Sequence, residues 1–172
     1  MLPITKRAEK LAPSETLAMA ARARELRARG VDVISFATGE PDFDTPSFIK
    51  ASAKKALDEG LTKYTPSAGT PELKGAIKEK LLRDNGLDYS ADEICVTCGA
   101  KQAIYNALQV LVGEGDEVLV PAPYWVSYPE QVKLSGGIPV VVPANASSRF
   151  KLSPAALEKA ITPRTRAVIL NT

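Results

Sequence analysis

From residue 93 onward, short runs of β-branched and aliphatic residues alternate with segments that have helical patterning. The apolar runs lie at residues 93–98, 117–120, 138–142 and 166–170. Strands that are continuously apolar are buried on both faces, and strands separated by helices pair in parallel. The alternation therefore predicts an α/β fold in which helices cover both faces of a parallel sheet.

Three helix starts are visible in the first half of the chain. Ser14, Thr45 and Thr70 each offer a hydroxyl that suits an N-cap, and the two threonines precede prolines that suit the first helical position. Helices are therefore predicted to begin at these three residues, and Ser153 before Pro154 predicts a fourth helix start later in the chain. Between the first two, the β-branched run at residues 31–38 predicts a further strand.

Composition excludes several functional classes. The 172 residues contain no histidine, so this chain has no Ser-His-Asp or Cys-His catalytic site and no histidine-based metal site, and no metal site is predicted. A net charge of +2 argues against nucleic acid as the main partner. No apolar run approaches the roughly 20 residues of a membrane helix, and no signal peptide is recognisable.

The two cysteines, Cys95 and Cys98, cannot form a disulfide framework, so the cytoplasm is the predicted compartment. Their CxxC spacing falls in a predicted strand, where side chains three residues apart face opposite ways. We therefore interpret them as core cysteines rather than as a redox or zinc pair.

The segment TCGAKQ joins the first of the regular strands to a predicted helix over residues 100–112. Gly99 stands where the backbone turns, and the N–H groups of Gly99, Ala100 and Lys101 are expected at a helix N-terminus, which favours a phosphate. An ordinary strand-to-helix turn is the alternative. The segment matches neither GxGxxG nor a P-loop, so no dinucleotide or nucleoside triphosphate site is predicted.

Two further segments are candidates for ligand binding. Trp125, the only tryptophan, follows the strand at 117–120, and ligands of open α/β sheets bind beyond the carboxyl ends of strands. Its indole suits stacking on a flat ring, and a buried packing aromatic is the alternative. Gly39, in the acidic loop GEPDF, would let the backbone approach a substrate, and the neighbouring carboxylates are interpreted as solvated or capping charges.

Five motifs occur in one order along the chain: GEPDFDTP, KYTPSAGTPELK, VTCGAKQAIYNAL, GEGDEVLVPAPYWVSYP and ITPRTRAVILNT. Together they resemble the N-terminal half of the class I (fold type I) pyridoxal-phosphate-dependent aminotransferases, most closely the bacterial aspartate aminotransferases. The resemblance implies a partial three-layer α/β/α fold with a mostly parallel sheet. It also implies that residues 45–172 begin the large cofactor-binding domain, after an N-terminal arm and small-domain contribution at residues 1–44.

The resemblance assigns cofactor contacts residue by residue. The family's phosphate-binding loop falls on Gly99, Ala100 and Lys101, and the aromatic that stacks on the cofactor ring falls on Trp125. Tyr64 matches a tyrosine that reaches the cofactor phosphate of the neighbouring subunit. The implied cofactor is pyridoxal 5'-phosphate, and the implied assembly is a homodimer with shared active sites.

The resemblance also implies the reaction, which moves an amino group between an acidic L-amino acid and a 2-oxo acid. Gly39 and Trp125 match substrate-binding positions. Some relatives that also accept prephenate have a basic residue where this chain has Ala12, so prephenate activity is not expected.

No catalytic residue is assigned in this chain. The resemblance places the Schiff-base lysine, the aspartate that pairs with the pyridine nitrogen and the carboxylate-binding arginine beyond Thr172. The chain is therefore expected to be the N-terminal part of a longer enzyme and to be inactive alone. The alternative is a non-catalytic fragment that binds an anion or a partner.

Overall fold

The computed structural model describes residues 4–171, which divide into two compact units. One unit joins residues 4–38 to residues 100–171, and the other is Gly39–Gly99. In chain order the helices and strands are α1 (Lys6–Glu9), α2 (Glu15–Ala28), α3 (Ser47–Asp58), α4 (Pro71–Asn85), α5 (Ala100–Leu111), β1 (Glu117–Ala122), α6 (Ser127–Leu134), β2 (Ile138–Pro143), α7 (Pro154–Ala160) and β3 (Thr165–Val168). The predicted domain boundary between residues 44 and 45 stays a prediction.

The sheet of the first unit has three parallel strands in the order β2-β1-β3. β1 is the central strand. It pairs with β2 from Glu117 opposite Ile138 to Ala122 opposite Pro143. Its pairing with β3 has one irregularity between Glu117 and Val118. The predicted parallel pairing is therefore confirmed for these three strands.

The core of this unit is built on β1. Val118, Leu119 and Val120 are fully buried. Because successive side chains of a strand point to opposite faces, their joint burial means that both faces of β1 are covered. Leu108 of α5 and Val132 of α6 belong to the same buried cluster as Val118. The continuous apolar run at 117–120 is thus explained by burial on both faces.

Gly137, in the turn between α6 and β2, is required by close packing. A Cβ built on Gly137 would lie 2.4 Å from Cγ1 of Val112 and 3.2 Å from the carbonyl oxygen of Asp116. Val112 is itself buried and is branched at Cβ, so its side chain has little freedom to move away. The turn therefore brings backbone against core at a distance that only glycine permits.

Of four helix caps predicted from hydroxyl residues, three are present and one is not. The side chains of Ser14, Thr70 and Ser153 each accept a hydrogen bond from the backbone N–H three residues later. The prediction that Thr45 caps a helix is wrong, because α3 begins at Ser47 and its N-cap is Pro46, which makes no side-chain cap bond.

Two predicted strands, at residues 31–38 and 93–98, are not strands in the described structure. A strand needs hydrogen bonds to a neighbouring strand, and β propensity alone does not supply a neighbour. In the second segment the N–H of Val96 donates to the carbonyl of Ala68, which lies in a loop, at 2.9 Å. In the first, the carbonyl of Val33 accepts from the Arg27 side chain at 3.0 Å.

The side chains of Cys95 and Cys98 are exposed, so the interpretation of both as core cysteines is wrong for the described chain. The physical reason is that the strand expected to bury them is absent. Among residues 4–171, no three or more cysteine or carboxylate side chains cluster in a way that would hold a metal ion. No helix in the same range combines the length and the apolar character needed to cross a membrane.

Candidate functional site

Gly99 lies at the turn into α5, as the sequence predicts, but its N–H is not free for a ligand because it already has a partner in the chain. Gly99 has a φ of +80°, a conformation that favours glycine. Its N–H donates to the carbonyl of Thr97 at 2.8 Å, and the Thr97 hydroxyl donates back to the Gly99 carbonyl at 3.0 Å. The helix begins at the next residue, Ala100. Because the first N–H groups of an α-helix have no partner within the helix, this end of α5 is a favourable place for an anion.

Lys101 and Trp125 are brought together in the first unit. The ammonium nitrogen of Lys101 lies 5.6 Å from the centroid of the Trp125 ring. The indole is 42% exposed, so the alternative of a buried packing aromatic does not fit the described chain. A cation next to an accessible aromatic face, at the carboxyl end of β1, is suited to a ligand that has both an anionic group and a flat ring.

Tyr128 adds a contact at the same edge of the sheet that sequence reasoning missed. Its hydroxyl donates to Oδ1 of Asn171 at 2.7 Å. Asn171 follows β3, so this bond connects α6 to the chain segment that leaves the carboxyl end of the sheet. One signal for it was available, because Tyr128 lies in the same aromatic run as Trp125.

A cavity of about 430 Å³ lies beside Lys101, between the segment that joins α1 to α2 and the helix α6. Glu130 holds these elements together, since its carboxylate accepts from the Ala12 N–H at 3.0 Å and from the Lys133 ammonium at 2.8 Å. Burial raises the pKa of Glu130. The hydrogen bonds from Lys133 and Ala12 outweigh that effect, so the pKa lies below its ordinary value.

Gly39 and Tyr64 belong to the second unit and are described within it. The Tyr64 side chain is exposed, and nothing in the described chain lies within 4 Å of a Cβ built on Gly39. Steric contacts within the described chain therefore do not explain why residue 39 is a glycine. The roles predicted for Gly39, Tyr64, Gly99, Ala100, Lys101 and Trp125 stay predictions.

The opposite edge of the sheet carries a buried carboxylate. Glu117, at the amino end of β1, is 4% exposed and accepts from the Thr162 hydroxyl at 2.7 Å. Its other carboxylate oxygen forms an ion pair with Arg164. The hydrogen bond from Thr162, followed by the interaction with Arg164, holds the pKa of Glu117 below its ordinary value despite burial. These contacts connect β1 to the turn before β3 and lie at the edge away from the candidate site.

Comparisons with known proteins agree with these observations. A family model described as aminotransferase class I and II matches residues 31–172. The aspartate aminotransferase of Geobacillus stearothermophilus is 55% identical over 99% of this chain. The aspartate/prephenate aminotransferase of Cereibacter sphaeroides is 57% identical over 92% of this chain. The chain spans 43% and 40% of the lengths of these two relatives.

A solved structure, that of aspartate aminotransferase from Thermus thermophilus with maleate, superposes on the whole chain with a TM-score of 0.95 at 46% identity. The chain covers 45% of that structure. The predicted fold, a partial three-layer α/β/α arrangement with a parallel sheet, is thereby confirmed.

Proposed function

The chain belongs to the class I and II aminotransferases, and from that premise we propose that the full-length protein transfers an amino group between an acidic L-amino acid and a 2-oxo acid, with pyridoxal 5'-phosphate as cofactor. The proposal concerns the full-length protein because this chain spans 43% of the length of its Geobacillus relative. The observation that carries it is the Lys101 ammonium 5.6 Å from the exposed Trp125 ring, at the start of α5.

The described residues fit this cofactor. Pyridoxal phosphate combines a flat aromatic ring with a phosphate, and each part has a partner here. The N–H groups at the start of α5 and the Lys101 ammonium suit the phosphate. The exposed indole of Trp125 suits the ring. Apart from Gly99 and its two chain neighbours, no atom of residues 4–171 lies within 4 Å of a Cβ built on Gly99, which leaves space for a phosphate to approach the backbone before α5.

In this proposal the described residues bind and orient, and none of them is assigned a proton transfer. When bound, the cofactor supplies the electron sink for chemistry at the amino acid's α carbon. Lys101 and the first turn of α5 hold the phosphate, which fixes one end of the ring. Trp125 fixes the plane of the ring and excludes water from one face. The indole N–H, a donor only, is available to a neighbouring acceptor.

The proposal includes a homodimer in which Tyr64 of each subunit reaches the cofactor phosphate of its neighbour. Its support is that Tyr64 is exposed in its own unit and lies in the KYTPSAG motif that carries the family resemblance. The proposal also includes contact between the Gly39 backbone and the substrate carboxylate, and a cytoplasmic location.

Two measurements on the full-length protein test the proposal. Equilibrium titration with pyridoxal phosphate is expected to show saturable binding. The loaded protein is then expected to transfer the amino group of L-aspartate to 2-oxoglutarate. Prephenate, offered as an alternative acceptor, is expected to be a poor substrate because Ala12 stands at the position where some prephenate-accepting relatives have a basic residue.

The outcomes separate the alternatives. Cofactor binding without transfer from any acidic amino acid would contradict the proposed substrate class. Absence of cofactor binding would favour a non-catalytic anion-binding or interaction module. The 172-residue chain, measured beside the full-length protein, is expected to show no transfer, and transfer by that chain would contradict the assignment of no catalytic residue within it.

A further inference from the structure

Gln131 has no part in the proposed function, yet it contacts the candidate site from outside. Its Nε2 donates to the carbonyl oxygen of Lys101 at 2.7 Å. The first carbonyls of an α-helix already accept from the N–H four residues later. The bond from Gln131 is therefore additional to the helix's own bonds, and what it adds is a fixed position for the first turn of α5 relative to α6.

A second hydrogen bond connects the same two helices farther along. Nε2 of Gln109 donates to the Ser135 hydroxyl at 3.0 Å, and that hydroxyl donates to the Gln131 carbonyl at 3.0 Å. Gln109 lies eight residues beyond Lys101, about 12 Å along the helix axis at 1.5 Å per residue. The two glutamines thus hold α5 against α6 at two separated points, of which only the Gln131 point lies beside the candidate site.

Burial of the Gln131 amide also has a cost in stability, so packing alone does not explain a glutamine at this position. Its Oε1 is buried and has no hydrogen-bond partner among residues 4–171. A buried acceptor without a partner is unfavourable, and an apolar side chain of similar shape would fill the space without that cost. The Nε2 bond to Lys101 is the feature that an apolar side chain would lose.

The hydrogen bond from Gln131 fixes the position of Lys101, and three groups of Lys101 lie at the candidate site. Its N–H lies in the first turn of α5, its carbonyl accepts from Gln131, and its ammonium lies near Trp125. We propose that Gln131 is a positioning residue for the cofactor phosphate, acting through the first turn of α5 and the Lys101 side chain. This inference rests on the proposed function.

The test compares two variants of the full-length protein, Gln131→Met and the matched control Gln109→Met. Each removes one hydrogen bond between α5 and α6 and keeps a side chain of similar length. Equilibrium affinities are measured for pyridoxal phosphate and for pyridoxal, which lacks the phosphate. We expect Gln131→Met to weaken pyridoxal phosphate binding about three- to tenfold, the size of one hydrogen bond, and to change pyridoxal binding less than about twofold.

Gln109→Met is expected to leave the ratio of the two affinities at its wild-type value, whatever the change in its thermal stability. Equal losses of both ligands in Gln131→Met, or the same change of ratio in Gln109→Met, would overturn the inference while leaving the proposed function standing. Failure of the wild-type protein to bind pyridoxal phosphate would overturn both. If Gln131→Met does not fold, Gln131→Asn, whose amide is one methylene shorter and farther from the Lys101 carbonyl, is compared with Gln109→Asn as its matched control.

Hydrogen exchange of the cofactor-free protein gives a readout that does not involve the ligand. We expect the amides of Ile104 and Tyr105, which close the first turn of α5, to exchange faster in Gln131→Met than in Gln109→Met. Equal exchange at these two amides in both variants would also overturn the inference.

Discussion

The two ends of β1 use polar side chains in opposite ways. At the amino end, the Glu117 carboxylate is buried and its oxygens are taken by Thr162 and Arg164. At the carboxyl end, the Trp125 indole is exposed and the Lys101 ammonium lies beside it. A polar group whose hydrogen bonds are made within the chain holds a strand in position. An accessible polar group is available to a ligand. We therefore propose that the amino end stabilises the sheet and that the carboxyl end binds the ligand, which is the general location of ligands in open α/β sheets.

The largest effect on stability is expected from Gly137→Ala, in the turn that leads into β2. The added Cβ would lie 2.4 Å from Cγ1 of Val112, inside the buried cluster. Overpacking of this kind costs about 1–3 kcal/mol, which denaturant unfolding of the full-length protein measures. Gly75→Ala is the control, because nothing among residues 4–171 beyond its two chain neighbours and the nearby backbone of α4 itself lies within 4 Å of the new Cβ. It is expected to be neutral or to stabilise by up to about 1 kcal/mol, and an equal loss in both variants would refute the packing explanation.

The pH dependence of stability tests the amino end directly. The hydrogen bond from Thr162 and the interaction with Arg164 lower the folded-state pKa of Glu117 below its ordinary 4.5. The unfolded chain therefore binds this proton more readily, so the stabilisation is present above pH 4.5 and is lost as the pH falls through the folded-state pKa.

Glu117→Gln is accordingly expected to be less stable than wild type at neutral pH, and the difference is expected to shrink as the pH falls below 4.5. Unfolding curves at a series of pH values measure it. Glu79→Gln removes an exposed carboxylate of α4 and serves as the charge-matched control. If the difference in free energy of unfolding between Glu117→Gln and wild type stays constant with pH, ionisation of Glu117 does not account for the lost stability.

The smallest effect is expected from Tyr128→Phe at the carboxyl end. The substitution removes the hydrogen bond to Asn171 and keeps the ring. One neutral hydrogen bond contributes about 0.5–1.5 kcal/mol, and partial exposure places this one at the low end. The thermal unfolding midpoint is expected to fall slightly. A loss of stability as large as that of Gly137→Ala would show that Tyr128 is needed to stabilise the fold.

The sequence predicts correctly those elements that depend on residues close to one another in the chain. The caps at Ser14, Thr70 and Ser153 depend on atoms within three residues of the cap, and the burial of β1 follows from its continuous apolar run. The segment at 93–98 has the same composition as a buried strand, but in the described chain it has no neighbouring strand. Strand formation depends on a partner that propensity does not contain.

The candidate site was predictable only in part for the same reason. Gly99 and Trp125 are recognisable because each stands at a junction between a strand-like run and a helix. The bond from Gln131 to Lys101 joins residues 30 apart, and the bond from Thr162 to Glu117 joins residues 45 apart. Such contacts arise from the packing of α6 on α5 and of the 162–165 turn on β1, and no pattern within either segment indicates them.

Cofactor affinity and thermal stability of Trp125→Ala and Trp125→Phe, measured on the same full-length preparations, test the central claim that the carboxyl end of β1 binds the cofactor ring. Stacking is worth about 1–3 kcal/mol, so Trp125→Ala is expected to weaken pyridoxal phosphate binding about 5- to 150-fold with little change in stability. Trp125→Phe is expected to keep most of the affinity. Unchanged affinity in both variants, together with a loss of stability of about 3–5 kcal/mol in Trp125→Ala, would contradict the claim and place Trp125 in the core.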